Sequence, residues 1–178
     1  MSTPNDDDRP SFRYVSYIRG SAEQVWDALT DADLTAAFWG HANRSDWQVG
    51  STWEHVRVDG SEVRDVVGTV LESDRPHRLT ITFDAPARSE DEADQRAEPS
   101  VVTFEIRSHE QIVEVTVTHR RIPGAGDLEA AALGWASVLS NLKTLLETGA
   151  VLPQAPWEMH AELAAEQMAR NDPAGRTS

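Results

Sequence analysis

Cysteine is missing from all 178 residues, which excludes disulfides, thiolate nucleophiles and cysteine-ligated metals and suits a reducing compartment. There is no N-terminal apolar run of signal-peptide type and no uninterrupted apolar segment that could span a bilayer, so the chain reads as cytoplasmic, without membrane insertion. Positive charge is scarce: 16 Lys and Arg stand against 30 Asp and Glu, a formal net charge of −14 with a pI near 4.7. Such a surface repels phosphate backbones, and nucleic acid is not expected as a partner. Catalytic signatures are also lacking, since no Gly-x-Ser-x-Gly elbow, phosphate loop or dinucleotide fingerprint occurs. The six histidines, His41, His55, His77, His109, His119 and His160, are scattered with no pair three or four apart on a helix, so neither a metal site nor another cofactor is expected. Hydrophobic residues make up only 39% of the chain. The polar stretches lie at the two termini and in one internal loop, which leaves a richer folded part of one-domain size.

What is present is organised around Asp127–Gly149. Leu128, Ala131, Ala132, Trp135, Val138, Leu139, Leu142, Leu145 and Leu146 recur there at helical spacing. With Asp127 as N-cap and Gly149 at the C-terminal stop, the helix would be about 30 Å long and must lie on another apolar surface. Alternating strands supply that surface. Residues Met1–Pro10 read as a disordered leader, followed by a strand at Phe12–Arg19. The capping-box spacing Ser21-Ala-Glu-Gln24 opens a short helix through Leu29 with Val25, Trp26 and Leu29 inward. A second box, Thr30-Asp-Ala-Asp33, opens another with Leu34, Ala37 and Phe38 on one face and Gly40 as its stop. His41–Ser45 reads as a loop.

Strands are predicted at Trp53–Val58, Val63–Glu72, His77–Phe83, Val101–Arg107 and Ile112–Arg120, with a shorter one at Trp47–Val49. Turns at Asp59-Gly60, Asp74-Arg-Pro76 and Ser108–Gln111 make them a meander. Ala85–Ser100, rich in Asp and Glu, reads as a mobile, solvated loop. Beyond Gly149, the residues Trp157, Ala161, Ala164, Ala165 and Met168 define a shorter amphipathic helix, Trp157–Arg170. It is expected to dock, because the stripe would otherwise expose a tryptophan and a methionine. The surface is its own domain or a second copy of the chain, and the small alanines and the short linker Ala150–Pro156 favour the former. Asn171–Ser178 reads as a free tail. The organisation is a leader (1–10), one α+β domain (11–149) and a C-terminal extension (150–178).

The order strand, two short helices, six- to seven-stranded antiparallel meander, long helix resembles the helix-grip fold of the START-like superfamily. Ser21-Ala-Glu-Gln-Val-Trp-Asp-Ala-Leu-Thr-Asp31, Ala37-Phe-Trp-Gly40, Gly68-Thr-Val-Leu71, Thr116-Val-Thr-His119 and the block from Gly134-Trp135 to Glu147-Thr-Gly149 resemble the family of activator homologues of the heat-shock-protein ATPase. The resemblance spans Phe12 to Gly149. Two features depart from it: His41 stands where the family often has a proline, and the helix after Pro156 is additional.

The resemblance implies a sheet curled around the long helix with an apolar cavity between them. The superfamily includes lipid carriers, aromatic polyketide cyclases, toxin-sequestering proteins and a chaperone-activating domain, so fold alone does not fix function. Candidate pocket residues are Phe38, Trp39, Trp53, His55, His119, Trp135, Leu139 and Leu142. His119 ends a strand whose same-face neighbours Val113, Val115 and Val117 are apolar, and its expected role is structural. Gly134 in a helix interior costs about 1 kcal/mol relative to alanine, which points to a close approach or a wide mouth there.

The expected function is non-enzymatic binding of a small hydrophobic or aromatic molecule, as carrier, sensor or sequestering protein. One alternative is a cyclase- or hydrolase-like enzyme using His119 or His55. The other is a module that activates a chaperone ATPase. Either a monomer or a homodimer fits.

Overall fold

The structure, a computed structural model, describes residues 9–85, 98–162 and 165. Its first strand, β1 (Phe12–Arg19), pairs not with its sequence neighbour but with the last strand, β7 (Ile112–Arg120), from Phe12 opposite His119 to Arg19 opposite Ile112. Between them in the chain lie β2 (His41–Arg44), β3 (Thr52–Arg57), β4 (Arg64–Asp74), β5 (Arg78–Thr82) and β6 (Val101–His109). All seven form one antiparallel sheet in the order β1-β7-β6-β5-β4-β3-β2. The register slips within β3–β4 and within β4–β5 mark irregularities of the kind that bend a strand. The sheet curls around the long helix α3 (Ala125–Thr148), the helix-grip architecture.

Helix α1 (Ala22–Thr30) opens with the expected capping box, Ser21 Oγ accepting from Gln24 N and Gln24 Oε1 from Ser21 N. Val25, Trp26 and Leu29 are buried. The next helix, α2 (Ala32–Trp39), is capped by Asp31 rather than Thr30. Asp31 Oδ1 accepts from the N–H groups of Asp33 and Leu34, both at 2.9 Å, while the Thr30 hydroxyl is taken by Trp26 O in the last turn of α1. This shifts the inner face to Thr35, Phe38 and Trp39, and Ala37 is exposed.

Gly40 closes α2 in the left-handed region at φ 75°. The chain then pairs at once with β3, so His41–Arg44 is a strand and not a loop. Its polar side chains hide it from a hydrophobic pattern; pairing with β3 holds it, together with side-chain bonds from Arg44 to Glu62 in the β3–β4 connection and from His41 to Asp65 of β4. Trp47–Val49 is not a strand, because Trp47 adopts φ 58° and Val49–Gly50 turns. Strand boundaries elsewhere lie within two residues of expectation.

Helix α3 starts at Ala125 behind an extended Gly124, two residues before the expected cap. Asp127 falls instead in the first turn, where a carboxylate suits the helix dipole. At 24 residues α3 spans about 36 Å. Its middle, from Trp135 to Leu142, buries Val138, Leu139 and Leu142 against Ile18, Val113, Val115, Phe104 and Ile106 of the core. Each such side chain stabilises by roughly 1.5–3 kcal/mol.

Two contacts tie α3 to its surroundings. Lys143, the one lysine in the sequence, donates to Tyr17 O on β1, and Glu147 accepts from Arg19 N (2.8 Å) and from Lys143 (2.7 Å). Buried Asn141 joins three segments: Nδ2 donates to Phe38 O (2.9 Å), and Oδ1 accepts from Leu152 N (2.8 Å).

The C-terminal segment begins with a 3₁₀ turn, Pro156–His160, in place of the first turn of the expected α-helix. Trp157 is half-buried and packs on Gly40, where an added Cβ would lie 2.8 Å from its ring. The docked part is this tryptophan; Ala161 and Ala165 of the expected stripe are exposed, as is Met159 at 85%. Ala164, Met168 and the tail fall outside the described residues, as do residues 1–8 of the leader and 86–97 of the acidic loop. Among the described residues no helix is long and apolar enough to cross a membrane.

Candidate functional site

The interior between α3 and the sheet is lined by rings. Trp39, carried inward by the last turn of α2, meets Trp135 of α3 at 5.3 Å between centroids, edge to face. It meets His55 of β3 at 5.1 Å and Phe104 of β6 at 6.3 Å. Phe83, just beyond β5, lies against Trp53 (5.7 Å), Trp135 (5.8 Å) and His119 (5.6 Å). Such offset and edge contacts are the favoured arrangements of aromatic groups. Trp53 lies across Gly68 to donate from Nε1 to Thr82 O at 2.9 Å. A Cβ at Gly68 would sit 2.2 Å from that oxygen and 2.3 Å from the indole nitrogen, so only glycine permits the crossing.

The two histidines of this layer are wired differently. The Trp135 N–H donates to His119 Nδ1 (3.3 Å), which must therefore be unprotonated. The proton sits on Nε2 and is donated to Ser100 Oγ (3.0 Å), whose own hydroxyl bonds Phe83 O and Asp84. Burial pushes the His119 pKa down to about 4. The Ser100–His119 pair therefore resembles a nucleophile and its base only in outline. This imidazole is a donor to the serine and has no free lone pair to take its proton.

His55 is 5% exposed. Its Nδ1 lies 2.6 Å from Asn43 Oδ1, an atom that only accepts, so Nδ1 carries the proton. One face of the ring stacks on His41 at 4.0 Å and 7°. His41 Nε2 bonds Asp65 (2.8 Å), and Asp65 is gripped by two 2.7 Å bonds from Arg57. Burial, reinforced by His41 and opposed by Asp65, holds the His55 pKa well below the ordinary histidine value. Burial alone would raise the Asp65 carboxyl, but the bonds from Arg57 and His41 outweigh it and hold it low.

A family model described as Activator of Hsp90 ATPase homolog 1-like protein matches residues 19–147. The chain belongs to that family. Solved structures agree with the fold. An HSP90 activator from Plasmodium falciparum is 25% identical, with a TM-score of 0.61 over 76% of this chain and 95% of that one. The Aha1 dimer from Colwellia psychrerythraea is 23% identical, with a TM-score of 0.63 over 79% and 98%. CalU16 from Micromonospora echinospora is 19% identical, with a TM-score of 0.60 over 87% and 86%. No curated protein matches it by sequence.

In this Activator of Hsp90 ATPase homolog 1-like chain, Trp39, Trp53, His55, His119 and Trp135 of the candidate residues form one ring cluster. Phe38 joins through Trp39 at 6.2 Å. Leu139 and Leu142 lie one and two turns further along α3, fully buried in the core. Phe83, the hub, is absent from the candidates expected from sequence, although Leu79, Ile81 and Phe83 share a period-two face that points to it. Asn43, His41 and Asp65 carry no such signal.

At Gly134 an added Cβ would meet nothing within 4 Å among the described residues, which excludes the close approach and leaves open space. Gly134 lies on the side of α3 that carries Val138 and Asn141, the side facing α2. From Leu128 to Gly134 no residue of the helix is fully buried, whereas Trp135, Ser137, Val138, Leu139, Asn141 and Leu142 are. A separate cleft of about 460 Å³ lies at the far ends of β4–β6 around Arg78, His77 and Glu105. Arg78 is paired there with Glu72 and Glu105, and none of the candidate residues lines it. Among the described residues no group of His, Asp or Glu could hold a metal ion.

Proposed function

We propose that this protein binds a small hydrophobic or aromatic molecule between α3 and the sheet, against Trp39, Trp53, Phe83 and Trp135. The supporting observations are the layer of rings between α3 and the sheet, in which Phe83 is only half-buried, and the room at neighbouring Gly134, where an added Cβ would meet nothing within 4 Å among the described residues. Apolar walls with a few polar groups are the usual make-up of small-molecule sites. The test is calorimetric titration of apolar aromatic probes into wild type and into Gly134→Leu, which would fill the space. Saturable binding that Gly134→Leu abolishes is the expected result; the absence of saturable binding by any probe removes the reading.

A second reading, stimulation of a chaperone ATPase, is favoured by the family match and by the likeness to the P. falciparum HSP90 activator. Adding the purified protein to an Hsp90 ATPase assay decides it, and an unchanged rate rejects it.

A further inference from the structure

Given a small molecule seated between α3 and the sheet, as proposed above, one polar atom of the lining has no protein partner. His55 Nδ1 is committed to Asn43, but no group of the described residues bonds Nε2. The two ring nitrogens point in nearly opposite directions, and Nε2 lies on the side of the ring away from the strand backbone. The rings of Trp39, Trp53 and Phe83 surround this imidazole at 5.1, 6.0 and 6.1 Å between centroids. A neutral imidazole with its proton on Nδ1 offers a lone pair on Nε2 and nothing else. No fully buried side-chain nitrogen or oxygen among the described residues lacks a partner, so this unbonded acceptor stays within reach of water or of a small molecule. Among apolar rings a donor bound there gains more than it would in bulk water.

The ring is also held in place. Asn43 is fixed by its own N–H to Thr35 Oγ1 (2.9 Å), and the stacked His41 is fixed by Asp65, itself clamped by Arg57. These five residues position a sixth whose free nitrogen they do not use.

We propose that His55 Nε2 accepts a hydrogen bond from the ligand, so that the site selects aromatic molecules carrying a hydroxyl or N–H, phenol-like compounds above all, over bare or fully etherified ring systems. Isothermal titration of the full chain with 1-naphthol and 1-methoxynaphthalene compares two probes of like shape that differ in one donor. Wild type should bind 1-naphthol about tenfold more tightly, the usual scale for one buried hydrogen bond. His55→Phe keeps an aromatic ring on His41 and should bring 1-naphthol down to the level of the ether, with ether binding retained.

Equal affinities in wild type, or a preference that survives His55→Phe, overturn the role of His55 while leaving the pocket standing. Failure of both probes to bind wild type overturns the pocket and this inference with it. A measurement on wild type alone avoids any folding defect of the variant. Long-range ¹H–¹⁵N spectra should show His55 protonated at Nδ1, with the Nε2 resonance moving to lower shift on addition of 1-naphthol and not of the ether. A proton on Nε2, or no movement, overturns the proposal.

Discussion

His119 makes a quantitative claim about acid stability. It is 8% exposed, and burial lowers its pKa to about 4, whereas a histidine in the unfolded chain titrates near 6.5. As pH falls, the unfolded state takes up the proton first. The contribution of His119 is therefore complete above about pH 6.5, is lost by up to about 1.4 kcal/mol per pH unit on the way down to about pH 4, and levels off below that. Between about pH 7 and about pH 5 the loss amounts to about 2 kcal/mol from this residue alone.

That window keeps the carboxylates largely out of the comparison. Asp46, Asp59 and Asp65 are all held below their ordinary values, and their contributions are lost at lower pH. His55 is depressed by the same cause and loses stability in the same window, so a variant is needed to separate the two. His119→Gln removes the titration and keeps a polar group beside the Trp135 N–H and Ser100. Urea unfolding followed by tryptophan emission at the two pH values gives both stabilities, with the m-value checking that the transition is unchanged in kind. Wild type should lose about 2 kcal/mol more than His119→Gln on acidification. Equal losses would refute the assignment of His119 as a buried neutral imidazole bonded at both nitrogens.

Gly68→Ala should destabilise by about 2–5 kcal/mol and red-shift tryptophan emission, because its Cβ displaces Trp53 from Thr82 O; a loss below about 1 kcal/mol contradicts the crossing geometry. Gly134→Ala should do the reverse, raising stability by about 1 kcal/mol in the same urea assay, since the methyl meets only open space in a helix interior; a loss of stability shows that the space is filled. Asn141→Leu strands the Phe38 carbonyl and the Leu152 N–H together, for an expected cost of about 2–4 kcal/mol. Faster hydrogen exchange at Leu152 should accompany it, and an unchanged exchange rate there refutes the three-way tie.

The parts of the fold that sequence reveals are those where one apolar face is buried over several periods. Val113, Val115, Val117 and His119 alternate along β7, and its bounds are as read. The stripe from Trp135 to Leu142 makes α3 legible for the same reason. β2 escapes because His41, Asn43 and Arg44 are polar on both faces, and what holds them is a partner strand and an ion pair invisible from the local pattern. Asp31 and Thr30 compete for the cap of α2 on equal terms until the preceding helix claims the Thr30 hydroxyl.

In the candidate site, the aromatic residues themselves are visible from their type. Their wiring is not, since Asn43 reaches His55 only through the β2–β3 register and Trp53 reaches Thr82 only because β4 offers a glycine beneath it. The open space at Gly134 stood as one of two readings of a glycine in a helix, and only the surrounding packing separates them.

Strand β1 is an outer strand of the sheet, and an outer strand is a template on which another chain can pair. Lys143 and Glu147, one turn apart on α3, occupy the outward carbonyl of Tyr17 and the outward N–H of Arg19. The helix thus acts as a gatekeeper for the sheet's margin as well as filling its concave face. A single oppositely charged pair, built on the chain's one lysine, guards the C-terminal end of β1 against templated aggregation.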